Sequence, residues 1–290
     1  MKLHHWHTLR CLLAALAVCC ALGAVAAGSA SAYRRTGVYQ TFGELPRDWH
    51  TPYRLVDGIP LVDYGSFKAR NPVTSAQYGL ANYSLWLRYH DHLRWVVARR
   101  VANWLVRTQR HDGKWVYSFS FQPPGAGEPL ARGWSSSLAQ AQGLSLLERV
   151  YRRTHGATYL KAIERAIKPL RVSVGKGGLS RRYHGRLFFE EYPTAQINFS
   201  FNGDLQTLIG LYDADDLVPA AKSLFSRGVK TVAANLAVFD SHAGYSLYSI
   251  ASPTPPPPGY NPAIRSELRI LAQLTGRAIF SRYAEIWSAP

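Results

Sequence analysis

Residues 135–170 read SSSLAQAQGLSLLERVYRRTHGATYLKAIERAIKPL, and the spacing of their apolar residues decides the fold. The first part carries its apolar side chains at three- and four-residue separations, the period of one helix face, and Gly156 closes that helix. The chain resumes at once with Leu160, Ile163 and Ile167 on one face of a second helix. Two antiparallel helices joined by a tight turn are the consequence. Upstream, LRWVVARRVANWLVRTQRHDGKW at 93–115 places Leu93, Val96, Val97, Val101, Trp104 and Leu105 at the same spacing, with Asp91 as its cap and Gly113 as its stop. Further helices are expected at 201–213, 218–236, 263–274 and 277–287. Strand signals are short and fall between helices: 114–121, a hairpin within 177–192, and 244–250. Paired helices with short β-hairpins on the connecting loops predict a mainly α fold, an incomplete α/α toroid of about four helical hairpins.

The first ten residues carry Lys2, Arg10 and no acid; an apolar run from Leu12 to Ala27 follows, and ASA stands at 30–32. The run is shorter than the ~20 apolar residues that span a bilayer, so residues 1–32 read as a cleaved secretory signal, the mature protein being secreted or extracytoplasmic with no stable membrane insertion. Residues 33–67, with prolines at 46, 52 and 60, form an extended arm or short hairpin, and residues 68–290 form the toroid. The prolines of SPTPPPPGYNP at 252–262 exclude helix and central strand, which leaves a stiff surface loop ahead of the last helix pair. Cys11, Cys19 and Cys20 are the only cysteines and all lie inside the signal, so the remaining chain has no disulfide or thiol nucleophile. The net charge of +16 becomes +14 once Lys2 and Arg10 leave with the signal, and a secreted chain this basic calls for a polyanionic partner. The arginines are scattered and no zinc-finger spacing, RNA-recognition signature or long basic block is present, so nucleic acid is not the expected one. Ten histidines show no HExxH or comparable spacing, so no metal site is expected.

Two carboxylates and a phenol stand together in LFFEEYPT at 187–194. Read alone, Glu190 and Glu191 are a solvated pair or partners of Arg181, Arg182 and Arg186. FFEEYPT together with FNG at 201–203 and LIGLYD at 208–213 resembles the C-terminal domain of the D-glucuronyl carbon-5 epimerases. NPVTSAQYGL at 71–80, GWSSSLAQAQGLSLL at 133–147, FDSHAGYSLY at 239–248 and Tyr260 fall in the same order. That resemblance implies an incomplete α/α barrel. It also implies an isomerase that inverts carbon 5 of glucuronate in an acidic, heparan-like polysaccharide, without cofactor, by removing a proton from one face and returning one to the other.

Such a reaction needs two proton-transfer groups across the sugar ring and donors or cations for the charge developing on the uronate carboxylate. The resemblance implies catalytic positions at Glu191, Tyr192, Tyr248 and Tyr260, with Glu191 and Tyr192 on one face, Tyr260 on the other and Tyr248 in support. It implies substrate-binding positions at Gln77, Tyr78, Trp134, Gln140, Arg186, Asn202 and Arg265. Where the family runs Asp-Leu-Arg-His after the GYSLY tyrosine, this chain has Ser249, Ile250 and Ala251. Where the family has histidine and an Asn-Gln pair in the last helical region, it has Ile264, Arg265, Ser266 and Glu267. Arg265, Arg181, Arg182 or Arg186 then supplies the missing cation. The alternatives are a polysaccharide lyase, since the same carbanion can expel the 4-linked sugar, and an inactive protein that only binds the acidic polysaccharide.

Overall fold

A computed structural model describes residues 32–39, 53–252, 256 and 259–288. The signal reading, the arm between 40 and 52 and most of the proline loop lie outside the described residues. Three short strands come first: β1 (Tyr53–Val56), β2 (Ile59–Asp63) and β3 (Lys68–Ala69), an antiparallel sheet in that order. Then follow α1 (Pro72–Tyr89), α2 (His92–Thr108), α3 (Ser137–Thr154), α4 (Ala157–Ala166), a short α5 (Lys168–Arg171), the hairpin β4 (Ser180–Tyr183) and β5 (Arg186–Phe189), α6 (Phe201–Ala214), α7 (Pro219–Asn235), α8 (Tyr260–Thr275) and α9 (Ala278–Ile286).

Four helical hairpins result: α1–α2, α3–α4, α6–α7 and α8–α9. The members of each pair pack together, and α1, α3, α6 and α8 also pack in succession against one another. These four are the inner helices of an incomplete α/α toroid, and their partners form the outer layer. Their first members carry sharp start and stop signals. Asn71 accepts from the backbone of Val73 and Thr74, Ser136 accepts from Leu138, and His90 and His155 end α1 and α3 in the left-handed region.

The helix over 72–89 is absent from the sequence expectations for a physical reason. Its residues from Pro72 to Leu85 are buried on nearly every side, between α2 and α3, so no apolar stripe at helical period is left to read. The expected hairpin within 177–192 is present: Ser180 pairs with Phe189 and Tyr183 with Arg186 across a His184–Gly185 turn, both residues at positive φ, as a two-residue hairpin turn requires. The segments 114–121 and 244–250 are not strands. They hold only isolated bridges, Val116 with Ser135, Phe121 with Leu130, Asp240 with Ser246 and Ser200 with Ser249.

The two ends of the ring differ. At the C-terminal ends of the inner helices, residues 33–39 cross all four. Tyr33 exchanges hydrogen bonds with Gln273 of α8 and donates to Asp213 of α6; the Arg149 guanidinium of α3 donates to the Gly37 carbonyl; the Tyr39 amide donates to Ser84 of α1 and its hydroxyl to Gln206. That end is plugged. At the N-terminal ends the helices are entered through the β-containing connections, and there the family-type motifs gather.

Candidate active site

β5 delivers the acids. Its last residues, Phe188 and Phe189, are fully buried, and this draws Glu190 and Glu191 inward behind them. The solvated-pair reading of the two acids does not hold: Glu190 is 0 % and Glu191 4 % exposed. Glu190 is a structural clasp. Its carboxylate oxygens accept from the consecutive amides of Asn198 (3.0 Å) and Phe199 (2.9 Å), and the Arg181 guanidinium lies 3.2 Å away. Burial pushes its carboxyl up to about 7, against those amides and Arg181. The clasp holds Phe199 at φ 45°, where a β-carbon is strained, and so fixes the entry to α6.

Glu191 faces the other way. Ser200 donates its hydroxyl to Glu191 Oε2, which explains why Ser200, at the N-cap position of α6, makes no side-chain capping bond. Burial raises the Glu191 carboxyl, opposed by Ser200 and by a hydrogen bond from Tyr192. The first turn of α6 is open to it because residue 203 is glycine. A β-carbon there would lie 2.5 Å from Glu191 Cβ and 2.7 Å from Oε2. Gly203→Ala is therefore expected to displace the carboxyl while the helix survives. Overpacking of this kind costs about 1–3 kcal/mol, and a ~1 Å misplacement of a reacting group about 10²-fold in rate, so turnover should fall far more than the melting temperature.

The tyrosines complete the cluster. The Tyr192 and Tyr248 hydroxyls are 3.0 Å apart, and both side chains are buried. Tyr260, the first residue of α8, follows Gly259 at φ 81° and packs its ring 5.2 Å from that of Tyr248. Its hydroxyl donates to the Tyr248 carbonyl (3.2 Å) and accepts from the Asn202 amide (3.1 Å). The structure thus brings Glu191, Tyr192, Tyr248 and Tyr260 together, but both hydrogen-bonding directions of the Tyr260 hydroxyl are taken by backbone. Burial holds Tyr192 and Tyr260 well above the ordinary phenol value; neighbouring acids and phenols add to it, and no cation is among the causes. These phenols are kept as O–H donors.

Of the expected binding positions, Asn202 and Trp134 adjoin this cluster. Asn202 donates its side-chain amide to Glu267. Trp134 stacks on Tyr117 at 3.8 Å and on Phe121 at 5.6 Å, and lies 6.1 Å from the Tyr192 ring. Gln77 and Tyr78 are buried in α1, the Tyr78 ring edge-on to Tyr53. Two positions are engaged elsewhere and a third faces solvent. Gln140 has its amide committed to the backbone of Trp115, Gly113 and Ala166; Arg265 turns its Nε to the Ala284 carbonyl of α9; Arg186 is exposed at the hairpin end.

Glu267 is the residue that sequence reasoning passed over. It is 1 % exposed; its Oε1 accepts from Asn202 (2.7 Å) and Gln206 (2.5 Å), and its Oε2 has no partner among the described residues. The signal was present: Ile264, Glu267, Leu268 and Leu271 share the apolar spacing of α8, so an acid sits on the core-facing stripe. Burial pushes its carboxyl from 4.5 to about 8. The stability carried by the protonated acid is full below the ordinary value and is lost as pH rises through about 8. Glu267→Gln, which copies the protonated form, is expected to melt with wild type in acid and about 5 °C or more above it in alkali, read from melting curves across pH.

The sequence model of the family described as D-glucuronyl C5-epimerase C-terminus matches residues 109–289. The D-glucuronyl C5-epimerase of Caenorhabditis elegans is 32 % identical over 171 residues, covering 53 % of this chain and 28 % of the relative. An uncharacterised protein of Methanocaldococcus jannaschii is 28 % identical over 179 residues, covering 60 % of this chain and 56 % of that one. The chain therefore spans little more than half the length of one of these curated relatives and about a quarter of the other. Among solved structures, cellobiose 2-epimerase from Spirochaeta thermophila superposes with a TM-score of 0.51 at 14 % identity, over 76 % of this chain and 58 % of that one, a likeness of fold.

Proposed function

Because the chain belongs to the family described as D-glucuronyl C5-epimerase C-terminus, we propose that it inverts carbon 5 of glucuronate residues in an acidic polysaccharide, outside the cytoplasm and without a cofactor. The observation that carries this reading is the buried cluster of Glu191, Tyr192 and Tyr248, a carboxyl held by Ser200 beside two phenols whose hydroxyls are 3.0 Å apart. Carbon-5 inversion needs a base and an acid that are distinct groups, and this cluster supplies both.

Glu191, made more basic by burial, takes the carbon-5 proton as the electron pair moves into the uronate carboxylate. A phenol returns a proton to the opposite face, and Tyr248 is assigned that role. The pair is then left as carboxylic acid and phenolate. Tyr192, in contact with both, passes the proton from Glu191 to Tyr248 and resets the site. Substrate entry parts the Tyr192 and Tyr248 hydroxyls, and their contact, with the proton transfer through it, re-forms as product leaves. Tyr260 binds the Tyr248 carbonyl and holds that segment against α6. The extracytoplasmic placement is supported by the basic start and apolar run of residues 1–32; no helix among the described residues is long and apolar enough to cross a membrane.

Incubating uronate polymers in heavy water tests the whole reading. Deuterium entering carbon 5 with chain length unchanged is the expected result. Shortening of the polymer with an ultraviolet-absorbing unsaturated uronate identifies a lyase instead, and binding without exchange identifies an inactive polysaccharide-binding protein.

A further inference from the structure

Glu267 stands two turns along α8 from Tyr260, on the same face, and both residues grip the head of α6. Tyr260 accepts the backbone amide of Asn202 on its hydroxyl at 3.1 Å, and Glu267 accepts the Asn202 side-chain amide on Oε1 at 2.7 Å. One turn further along α6, Gln206 donates to the same oxygen at 2.5 Å. Next to Asn202 is Gly203, where the missing β-carbon leaves room for the Glu191 carboxyl. The buried acid of α8 is thus tied to the turn against which the reacting acid lies.

The hydrogen bonds place the Glu267 proton. Gln206 accepts the Tyr39 hydroxyl on Oε1 at 2.6 Å, so it turns only N–H to Glu267, and Asn202 likewise offers Nδ2. Oε1 is the acceptor in both contacts, as a carbonyl oxygen is, and Oε2, buried and without a partner among the described residues, carries the proton. A negative oxygen buried there with neither donor nor cation costs far more than an unpaired O–H. α6 faces Glu267 with the amides of Asn202 and Gln206. The titratable group that acts on it is Glu191, from the segment after β5; it acts in turn on Tyr260 at the head of its own helix and on Tyr39 from the N-terminal segment. α9, the other neighbour of α8, contributes no such group, and no cation is among the causes. An ionised Glu191 therefore helps to keep Glu267 neutral, and the two acids lose their protons in sequence. The reaction brings a uronate carboxylate to Glu191 and develops further negative charge on it, and a charge on Glu267 opposes both.

On the epimerase reading above, we propose that Glu267 is a positioning residue of the reaction: as a neutral acid it fixes the Asn202 amide and the first turn of α6 beneath Glu191, and its ionisation switches turnover off in alkali. Because Nδ2 of Asn202 is held, its Oδ1 is set on the opposite side of the amide, and this half-buried residue presents a fixed acceptor beside the cluster. Burial, which pushes the Glu267 carboxyl to about 8 against its two amide donors, sets the pH of the switch.

The test is carbon-5 deuterium exchange on a glucuronate polymer, taken per folded molecule well below the melting temperature and followed as a function of pH. Wild type is expected to lose about 10-fold in rate between about pH 7 and about pH 9.5, as one buried charge comes to repel another. Glu267→Gln keeps an oxygen for both amides and cannot ionise, so its rate should hold over that range. Glu267→Leu removes the acceptor and frees the Asn202 amide, and its KM should rise about 10-fold at every pH, a loss that Glu267→Gln does not show. A Glu267 that served only to stabilise the fold would shift melting temperatures and leave the shape of the pH profile alone. The phenols are no rival cause in this range, since burial holds Tyr192 and Tyr260 well above the ordinary value. A falling limb that persists in Glu267→Gln, a wild-type rate that stays flat to about pH 9.5, or equal KM in the two variants overturns the positioning role and leaves the epimerase. No exchange by wild type at any pH overturns both. If Glu267→Leu does not fold, the comparison of wild type with Glu267→Gln decides alone.

Discussion

Replacing Glu191 by Gln is expected to reduce carbon-5 hydrogen exchange by about 10²- to 10⁴-fold, the usual contribution of a positioned proton-transfer group. Ser200 can still donate to the amide oxygen, so the fold should survive. Tyr248→Phe should produce a loss of the same order, because it removes the proposed proton donor and leaves the ring against Tyr260. Tyr192→Phe breaks the link between them and should slow resetting of the site, so a first turnover survives where steady turnover fails. Tyr260→Phe should be the mildest of the four, costing on the order of 1 kcal/mol in stability for two backbone hydrogen bonds and less than 10-fold in rate.

Deuterium incorporation measured separately from glucuronate and iduronate units, with melting curves for each variant, reads all four. The rate should also climb with pH as the Glu191 carboxylate forms, with a midpoint above the ordinary 4.5, and Gln at 191 should abolish that limb. A Tyr260→Phe loss equal to that of Tyr248→Phe would return Tyr260 to the opposite face of the sugar, and wild-type rates in all four would remove the cluster from catalysis.

The second large effect is on stability and lies at the plugged end of the ring. Arg149 is fully buried; it donates to Asp213 (2.8 Å), to the Ser145 carbonyl (3.0 Å) and to the Tyr33 hydroxyl (3.2 Å). Tyr33 in turn donates to Asp213. Arg149→Met leaves the Asp213 carboxylate buried without its cation, a change that costs about 3–5 kcal/mol. At ~2–4 °C per kcal/mol for a domain of this size, the melting temperature should drop by about 10 °C. Adding Asp213→Leu should recover part of the loss, because the uncompensated charge then disappears. The amides of 33–39 should lose hydrogen-exchange protection with it, Tyr39 foremost, since its amide reaches Ser84 across the ring. Exchange at carbon 5 per folded molecule should stay near wild type, because the cluster occupies the opposite ends of the same helices. A melting temperature within 2 °C of wild type would show that the ion pair contributes little to holding the plug.

What the sequence by itself determined is the local part. The outer helices α2, α4, α7 and α9 face solvent on one side and core on the other, so the contrast between sides prints the 3.6-residue period on the chain, and Gly156 marks a reversal. The family resemblance carried by EEYPT, Tyr248 and Tyr260 pointed to residues that the fold brings side by side. Tertiary structure alone decided the rest, because it depends on partners far apart in the chain. α1 is buried all round between two helices, which erases the periodicity that would reveal it. Glu190 and Glu191 look alike as letters, yet one clasps the Asn198 and Phe199 amides and the other meets Ser200 and Tyr192. Arg265 is spent on α9, Tyr260 is bound by backbone from two other segments, and Glu267 gains its amide partners from α6. A period survives in sequence when a helix has a wet side; the charge state and direction of a buried side chain are set by desolvation and by neighbours up to 180 residues away.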